Sequence, residues 1–205
     1  MKPGRSTNAV TVACAWLPQP LAAATRATLL SQLPYARRLQ MSAAADRQSQ
    51  SLLGVALACE LLSALTQRAL RPAQLRYTAY GKPYATGFPD FSIAHAGAWV
   101  VCAVASAGTI GIDVEILAYG GAGGALAAWS AREATVKAAG ARLHDLPRVH
   151  GSGRRLHFRG QRWYGHAPPL TPGTILRVVS SLPIAQFRLQ RRPAARVVAW
   201  QEARR

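Results

Sequence analysis

The sequence predicts an α+β fold, and three patterns carry that expectation. Strand-like runs recur at 10–17, 91–95, 99–105, 109–116 and 174–180, helical stretches are few, and the two do not alternate as repeated βαβ units. A doubly wound nucleotide fold is therefore not expected. With 205 residues and 50% hydrophobic composition, the chain suffices for one substantial core or two small, intimately packed halves.

Residues 10–17 alternate as a strand, and the short apolar run ending in Pro18-Gln19-Pro20 reads as that strand and not as a secretory signal. A helical stretch over 21–40 is broken at Pro34 and ends in the basic pair Arg37-Arg38. Asp46 opens the next helix. From there to about Arg68, Leu53, Leu57, Leu61 and Leu65 recur every fourth residue, which predicts an amphipathic scaffold helix. Its most apolar part, 52–65, carries Glu60 and is too short to span a bilayer. Gly81-Lys82-Pro83 marks a turn, and the runs 91–95, 99–105 and 109–116 read as an antiparallel meander. Gly120 to Gly124 reads as a flexible connection, and 125–139 as a helix stopped by Gly140. Beyond it, 156–163, 174–180, 187–189 and, more weakly, 197–200 are expected as strands of a second sheet region.

The 25 Lys+Arg against 8 Asp+Glu give a net charge of +17, a field that attracts nucleic acid, anionic membranes, phosphorylated ligands or acidic proteins without choosing among them. No helix-turn-helix, zinc finger or aromatic RNA-binding signature is present, so no specific nucleic-acid partner is expected. Cys14, Cys59 and Cys102 are odd in number and widely spaced among apolar neighbours, as buried free thiols of a reducing cytosol would be. The protein is expected to be cytoplasmic and not membrane-bound.

The chemistry concentrates in two segments. In Thr109-Ile110-Gly111-Ile112-Asp113-Val114-Glu115-Ile116, Asp113 and Glu115 stand two apart on a strand and share one face, opposite Ile112 and Val114. Two carboxylates that close favour a counter-cation, and hard oxygen donors suit Mg²⁺. An ordinary strand with a solvated acidic face gives the same pattern, but the chain has few acids. On the following helix, Glu133 and Lys137 are four apart, so one can add a third carboxylate while the other reaches a phosphate oxygen. Capping offers a second explanation, since Ser130-x-x-Glu133 has the form of a capping box and Glu133 to Lys137 the favoured orientation of a surface ion pair.

Four motifs then occur in order: Gly81-Lys82-Pro83-Tyr84, Phe91-Ser92-Ile93-Ala94-His95, Gly111-Ile112-Asp113-Val114-Glu115, and the helix from Trp129-Ser130-Ala131-Arg132-Glu133 through Lys137 to Gly140. Together they resemble the 4′-phosphopantetheinyl transferase family, in particular its long, surfactin-synthetase-activating type. The resemblance is sharp over 81–140, fair over 46–68 and general after 141. It implies two similar α+β halves in pseudo-twofold arrangement, 1–108 and 109–205, forming one compact, monomeric unit with the active site at their interface. It implies that Asp113, Glu115 and Glu133 hold Mg²⁺ on the pyrophosphate of coenzyme A, that Lys137 neutralises phosphate charge, and that Glu133 is the catalytic base. Lys82, His95 and Arg37 or Arg38 would contact the adenosine and 3′-phosphate end. The implied reaction moves the 4′-phosphopantetheine arm to a serine of an acidic apo carrier protein, in fatty acid, polyketide or nonribosomal peptide biosynthesis.

The sequence departs from the family at Ala94 and Ser92, usually Ser and Asn, at Gln50, usually Arg, and at the short connection 116–128, where the family receives the carrier. Those departures keep open a catalytically decayed relative that binds coenzyme A or a carrier without transfer. Retention of three acids and Lys137 argues for the enzyme.

Overall fold

The computed structural model describes residues 8–118 and 123–204. It has a mixed α+β architecture. A first sheet has the order β11 (Ile184–Arg191), β1 (Asn8–Trp16), β5 (Trp99–Ala105) and β4 (Phe91–Ala96), with β1 parallel to β11 and antiparallel to β5. A second, antiparallel sheet has the order β6 (Ile110–Ile116), β10 (Thr174–Ser180), β9 (Gln161–His166), β8 (Arg155–Phe158) and β7 (His150–Ser152). A small ribbon pairs β2 (Arg76–Tyr77) with β3 (Pro83–Tyr84).

Alternation along the strands produces a helix–sheet–sheet–helix stack. One face of the first sheet, through Ala13, Val100, Cys102 and Val104, packs on the long helix α3 (Ala45–Thr66), with α1 (Ala23–Ser31) and α5 (Ala194–Glu202) alongside. Its other face, Val10, Val12, Val101 and Ala103, meets Ile110, Ile112, Leu176 and Val178 of the second sheet. The far side of the second sheet carries α4 (Gly123–Ala138), with Ala134 and Val136 against Leu156, Trp163 and Val179. Helix α3 is long and apolar enough to cross a membrane by length and composition, but 67% of its most apolar window is buried inside the fold, where it forms the core of the first layer. All three cysteines are buried and free, as expected.

Several elements differ from the sequence expectation for identifiable reasons. The run 91–116 is not one meander: β4 and β5 form a hairpin, whereas β6 opens the second sheet. Residues 156–163 form two strands, because Arg159 and Gly160 both take positive φ, 51° and 72°, and close a two-residue hairpin between Phe158 and Gln161. Residues 187–189 lie in β11, which joins the first sheet beside β1. Residues 197–200 are helical, within α5, where Ala194, Val197 and Val198 share one face against the α3 cluster. The C-terminal segment thus crosses back over the boundary expected at 108/109. The short helix α2 (Tyr35–Leu39) follows Pro34 as expected.

Two devices fix the placement of α4. Gly140 at φ 59° ends the helix in a Schellman arrangement, with the Ala141 amide donating to Val136 O and the Gly140 amide to Lys137 O. Gly111 lets β6 approach the helix backbone, since a Cβ there would lie 1.9 Å from Ala134 O and 2.6 Å from Ala138 N. The expected flexible connection at Gly120 to Gly124 falls partly outside the described residues, and Gly123 and Gly124, expected in that connection, are already helical.

Candidate metal and phosphate centre

Strand β6 and helix α4 bring the three acids together. Asp113, Glu115 and Glu133 each offer a carboxylate oxygen, and these oxygens lie within 4.8 Å of one another. Asp113 is inside, 3% exposed, while Glu115 and Glu133 are half-buried toward the surface. Lys137 closes the group, its ammonium 2.7 Å from Asp113 Oδ1 and 2.8 Å from Glu133 Oε1. Buried Asp113 Oδ2 has no hydrogen-bond partner among the described residues, nor has the nearby Ser130 hydroxyl.

Electrostatics follow from burial and crowding. Burial pushes Asp113 above the usual carboxylate range, with Lys137 opposing the rise and Glu133 adding to it. Glu115 is also raised, by burial and then by Asp113 and Glu133. Burial alone lowers Lys137, but Asp113 and Glu133 together outweigh that and leave it above the ordinary lysine value. The donors fit a divalent ion: three hard oxygens converge, and one buried oxygen awaits a cationic or donor partner.

The helix excludes one sequence-level explanation. Ser130 lies well inside α4, which starts at Gly123, so Ser130 and Glu133 do not form a capping box. The Glu133–Lys137 pair does form, yet it faces Asp113 instead of open solvent. Trp129, on the same helix, is 48% exposed, whereas Trp99 is buried.

Glu133 and Lys137 line a cleft of about 540 Å³ that continues along Tyr80 to Pro83, Ser92, Ile93 and the segment from Gly140 to His144. Lys82 lines it, but not as an exposed turn lysine. Its ammonium is held 2.6 Å from Asp90 Oδ2 and donates to Ile110 O at 3.0 Å and to Ala138 O at 3.5 Å. Burial lowers its pKa, with Asp90 opposing. The Ile110 amide also donates to Asp90, and the Ile112 amide to the Ser92 hydroxyl, so the junction of the two sheets is stitched by side chains where no ladder runs.

The remaining expected contacts are scattered. His95 stands near the end of β4 with part of its surface open to solvent, and partial desolvation by its neighbours and then the Lys137 charge lower its pKa. Arg37 stacks over Tyr77 at 4.9 Å and Arg38 over Tyr35 at 5.4 Å; neither lines the cleft. Gln50 donates to Gly97 O, and Ala94 lies in the core between the sheets. Sequence reading missed Arg142, whose guanidinium sits 4.7 Å over the Tyr80 ring, and His144, both at the cleft. Their only sequence signal was basic character just after the helix stop at Gly140. A larger cleft of about 880 Å³ has none of the three acids in its walls but begins beside them at Ile116, with Trp16, Trp99, Leu117, Arg191 and Arg192 also lining it.

No protein-family model matches the chain. Over 38 residues it is 58% identical to a 4′-phosphopantetheinyl transferase of Bacillus subtilis, a match covering 18% of this chain. The chain spans only 16% of the length of that curated relative, so the likeness is to a segment of a phosphopantetheinyl transferase.

Proposed function

We propose that this chain is a Mg²⁺-dependent 4′-phosphopantetheinyl transferase of the long, two-half type, acting on coenzyme A and an apo carrier protein. The observation that carries the reading is the convergence of Asp113, Glu115 and Glu133 on one point beside Lys137, at the mouth of a cleft. The segment match to a named transferase supports it.

In this reading Asp113, Glu115 and Glu133 hold the ion, which when bound screens the pyrophosphate charge. Coenzyme A occupies the 540 Å³ cleft, with Lys137 on phosphate oxygens and Arg142 and His144 toward the nucleotide end. Lys82 shapes that cleft more than it offers charge to a ligand, because its ammonium is already shared among Asp90 and two carbonyls. His95 is retained as a contact near Lys137, and Arg37 and Arg38 are not. The carrier serine approaches from the side of Ile116 and Leu117, where an apolar cleft rimmed by Arg191 and Arg192 suits an acidic partner.

Glu133 takes the serine proton as the serine oxygen forms its bond to the β-phosphorus. The anhydride bond breaks, and adenosine 3′,5′-bisphosphate leaves with the electron pair while Lys137 offsets the charge that accumulates on the phosphates.

Incubation with coenzyme A, Mg²⁺ and apo carriers, followed by intact mass measurement, is expected to show one pantetheine arm per carrier. No gain on peptidyl, fatty-acid or polyketide carriers would remove the proposal. Asp113→Ala and Glu133→Ala are each expected to abolish transfer while leaving the far-ultraviolet circular dichroism unchanged; turnover retained in either contradicts its assignment.

A further inference from the structure

Lys137 and a divalent cation draw on the same oxygens. Its ammonium contacts Asp113 Oδ1 at 2.7 Å and Glu133 Oε1 at 2.8 Å, and these residues are two of the three that define the candidate ion site. A cation entering among them meets an ammonium already there, and like charges at contact distance repel strongly where water is scarce. Asp113 is 3% exposed, so its two oxygens have few other partners: Oδ1 is engaged by Lys137, and Oδ2 has no hydrogen-bond partner among the described residues. The cluster is thus only partly neutralised, since three carboxylates face one ammonium. Lys137 also lines the 540 Å³ cleft, so the same flexible side chain can turn toward an anion held there.

We propose that Lys137 is a built-in counter-ion that competes with a divalent cation for Asp113 and Glu133, and that a polyphosphate in the cleft relieves this competition by drawing the ammonium onto its own oxygens. The inference rests on the metal and phosphate reading of the site, and is independent of whether a carrier protein is the acceptor. Ion and polyphosphate then bind interdependently, each raising the affinity of the other by the same factor. The free site resists stray divalent ions, and the ion settles fully when the phosphate ligand arrives.

The test follows Mn²⁺ binding through the paramagnetic resonance signal of the free ion, in the wild type, Lys137→Gln and Lys137→Arg. Mn²⁺ alone is expected to bind Lys137→Gln about tenfold more tightly than the wild type, within the usual range of coupling factors, while Lys137→Arg stays close to wild type. Saturating coenzyme A is expected to tighten Mn²⁺ binding about tenfold in the wild type and Lys137→Arg, and much less in Lys137→Gln. Equal or weaker Mn²⁺ affinity in Lys137→Gln overturns the proposal, as does a Lys137→Arg protein that behaves like Lys137→Gln. Should Lys137→Gln not fold, the wild type decides, because a Mn²⁺ affinity unmoved by coenzyme A also overturns it. A wild type that binds no Mn²⁺ under either condition removes the metal site of the proposed function as well. Tight Mn²⁺ binding that is indifferent to residue 137 removes this inference alone.

Discussion

Glu115 is half-buried and makes no ion pair among the described residues, which makes it a clean reporter of the three acids' mutual repulsion. Its pKa is raised by burial and by Asp113 and Glu133, so the folded chain favours the protonated form more than the unfolded chain does. For a carboxyl shifted upward, the stabilising contribution is complete below the ordinary value near 4.5 and is lost as pH rises through the higher folded value. Ionised Glu115 therefore costs stability at neutral pH. In the presence of EDTA, Glu115→Gln is expected to melt at a higher temperature than wild type at pH 7, and the difference should vanish below about pH 4.5. A lower melting temperature at pH 7 would show that the charge stabilises the fold. Lys82 poses the opposite case, an inward lysine whose partners are all protein atoms. Its ammonium also sits at the C-terminal end of α4, where the helix carbonyls favour a cation. Removing one partner of a largely buried ion pair costs about 3–5 kcal/mol, so Lys82→Ala is expected to lose stability of that order in urea unfolding. A variant of wild-type stability that binds coenzyme A poorly would instead return Lys82 to the ligand contacts.

At the scale of elements, the site depends on how closely β6 lies on α4, and Gly111 sets that distance. A methyl group there would meet the backbone of Ala134 and Ala138, not a yielding side chain, so the helix must move. Overpacking of this kind costs about 1–3 kcal/mol, and it would also separate Asp113 from Glu133 and Lys137. Gly111→Ala is expected to lose stability in that range and to weaken Mn²⁺ binding, both read on one purified sample. Gly124→Ala is the control: no described atom lies within 4 Å of the added Cβ, so binding should be unaffected. What the sequence disclosed here was local. The two-residue spacing of Asp113 and Glu115 placed both acids on one face, and the four-residue spacing of Glu133 and Lys137 did the same on the helix. Tertiary choices were hidden. Nothing near Lys82 announces that Asp90 and Ala138 will receive its ammonium, and the β-branched pair Val197-Val198 reads as strand until the apolar surface of α3 is there to bury it as helix. The parallel partnership of β1 with β11 joins segments from opposite ends of the chain, beyond the reach of any local pattern.

For the whole molecule, the relevant quantities are the field of +17 and the way the chain closes on itself. Strand β11 and helix α5 return to the first layer, and the side chains of Asp90 and Ser92 accept hydrogen bonds from β6, the first strand of the second sheet, so the walls of the cleft are tied from several directions. Such a frame has little need to rearrange in order to receive a ligand, which leaves encounter as the step that the charge can influence. Opposite net charges accelerate association by about 10–1000-fold at low salt, and exposed charges separated by more than about 8 Å are screened at physiological ionic strength. The walls of the larger cleft carry Arg191 and Arg192 among aromatic side chains, a mixture of apolar contact and positive rim suited to an acidic partner surface. If the partner is an acidic carrier, kcat/KM for the carrier is expected to fall by about tenfold or more between low and high salt, with kcat at saturating carrier little changed, because steering acts on arrival and not on the chemical step. Reversing Arg191 and Arg192 together to Glu should reproduce much of that fall at low salt and flatten the salt dependence. A kcat/KM that is insensitive to salt would show that the positive field plays no part in bringing the acceptor to the site.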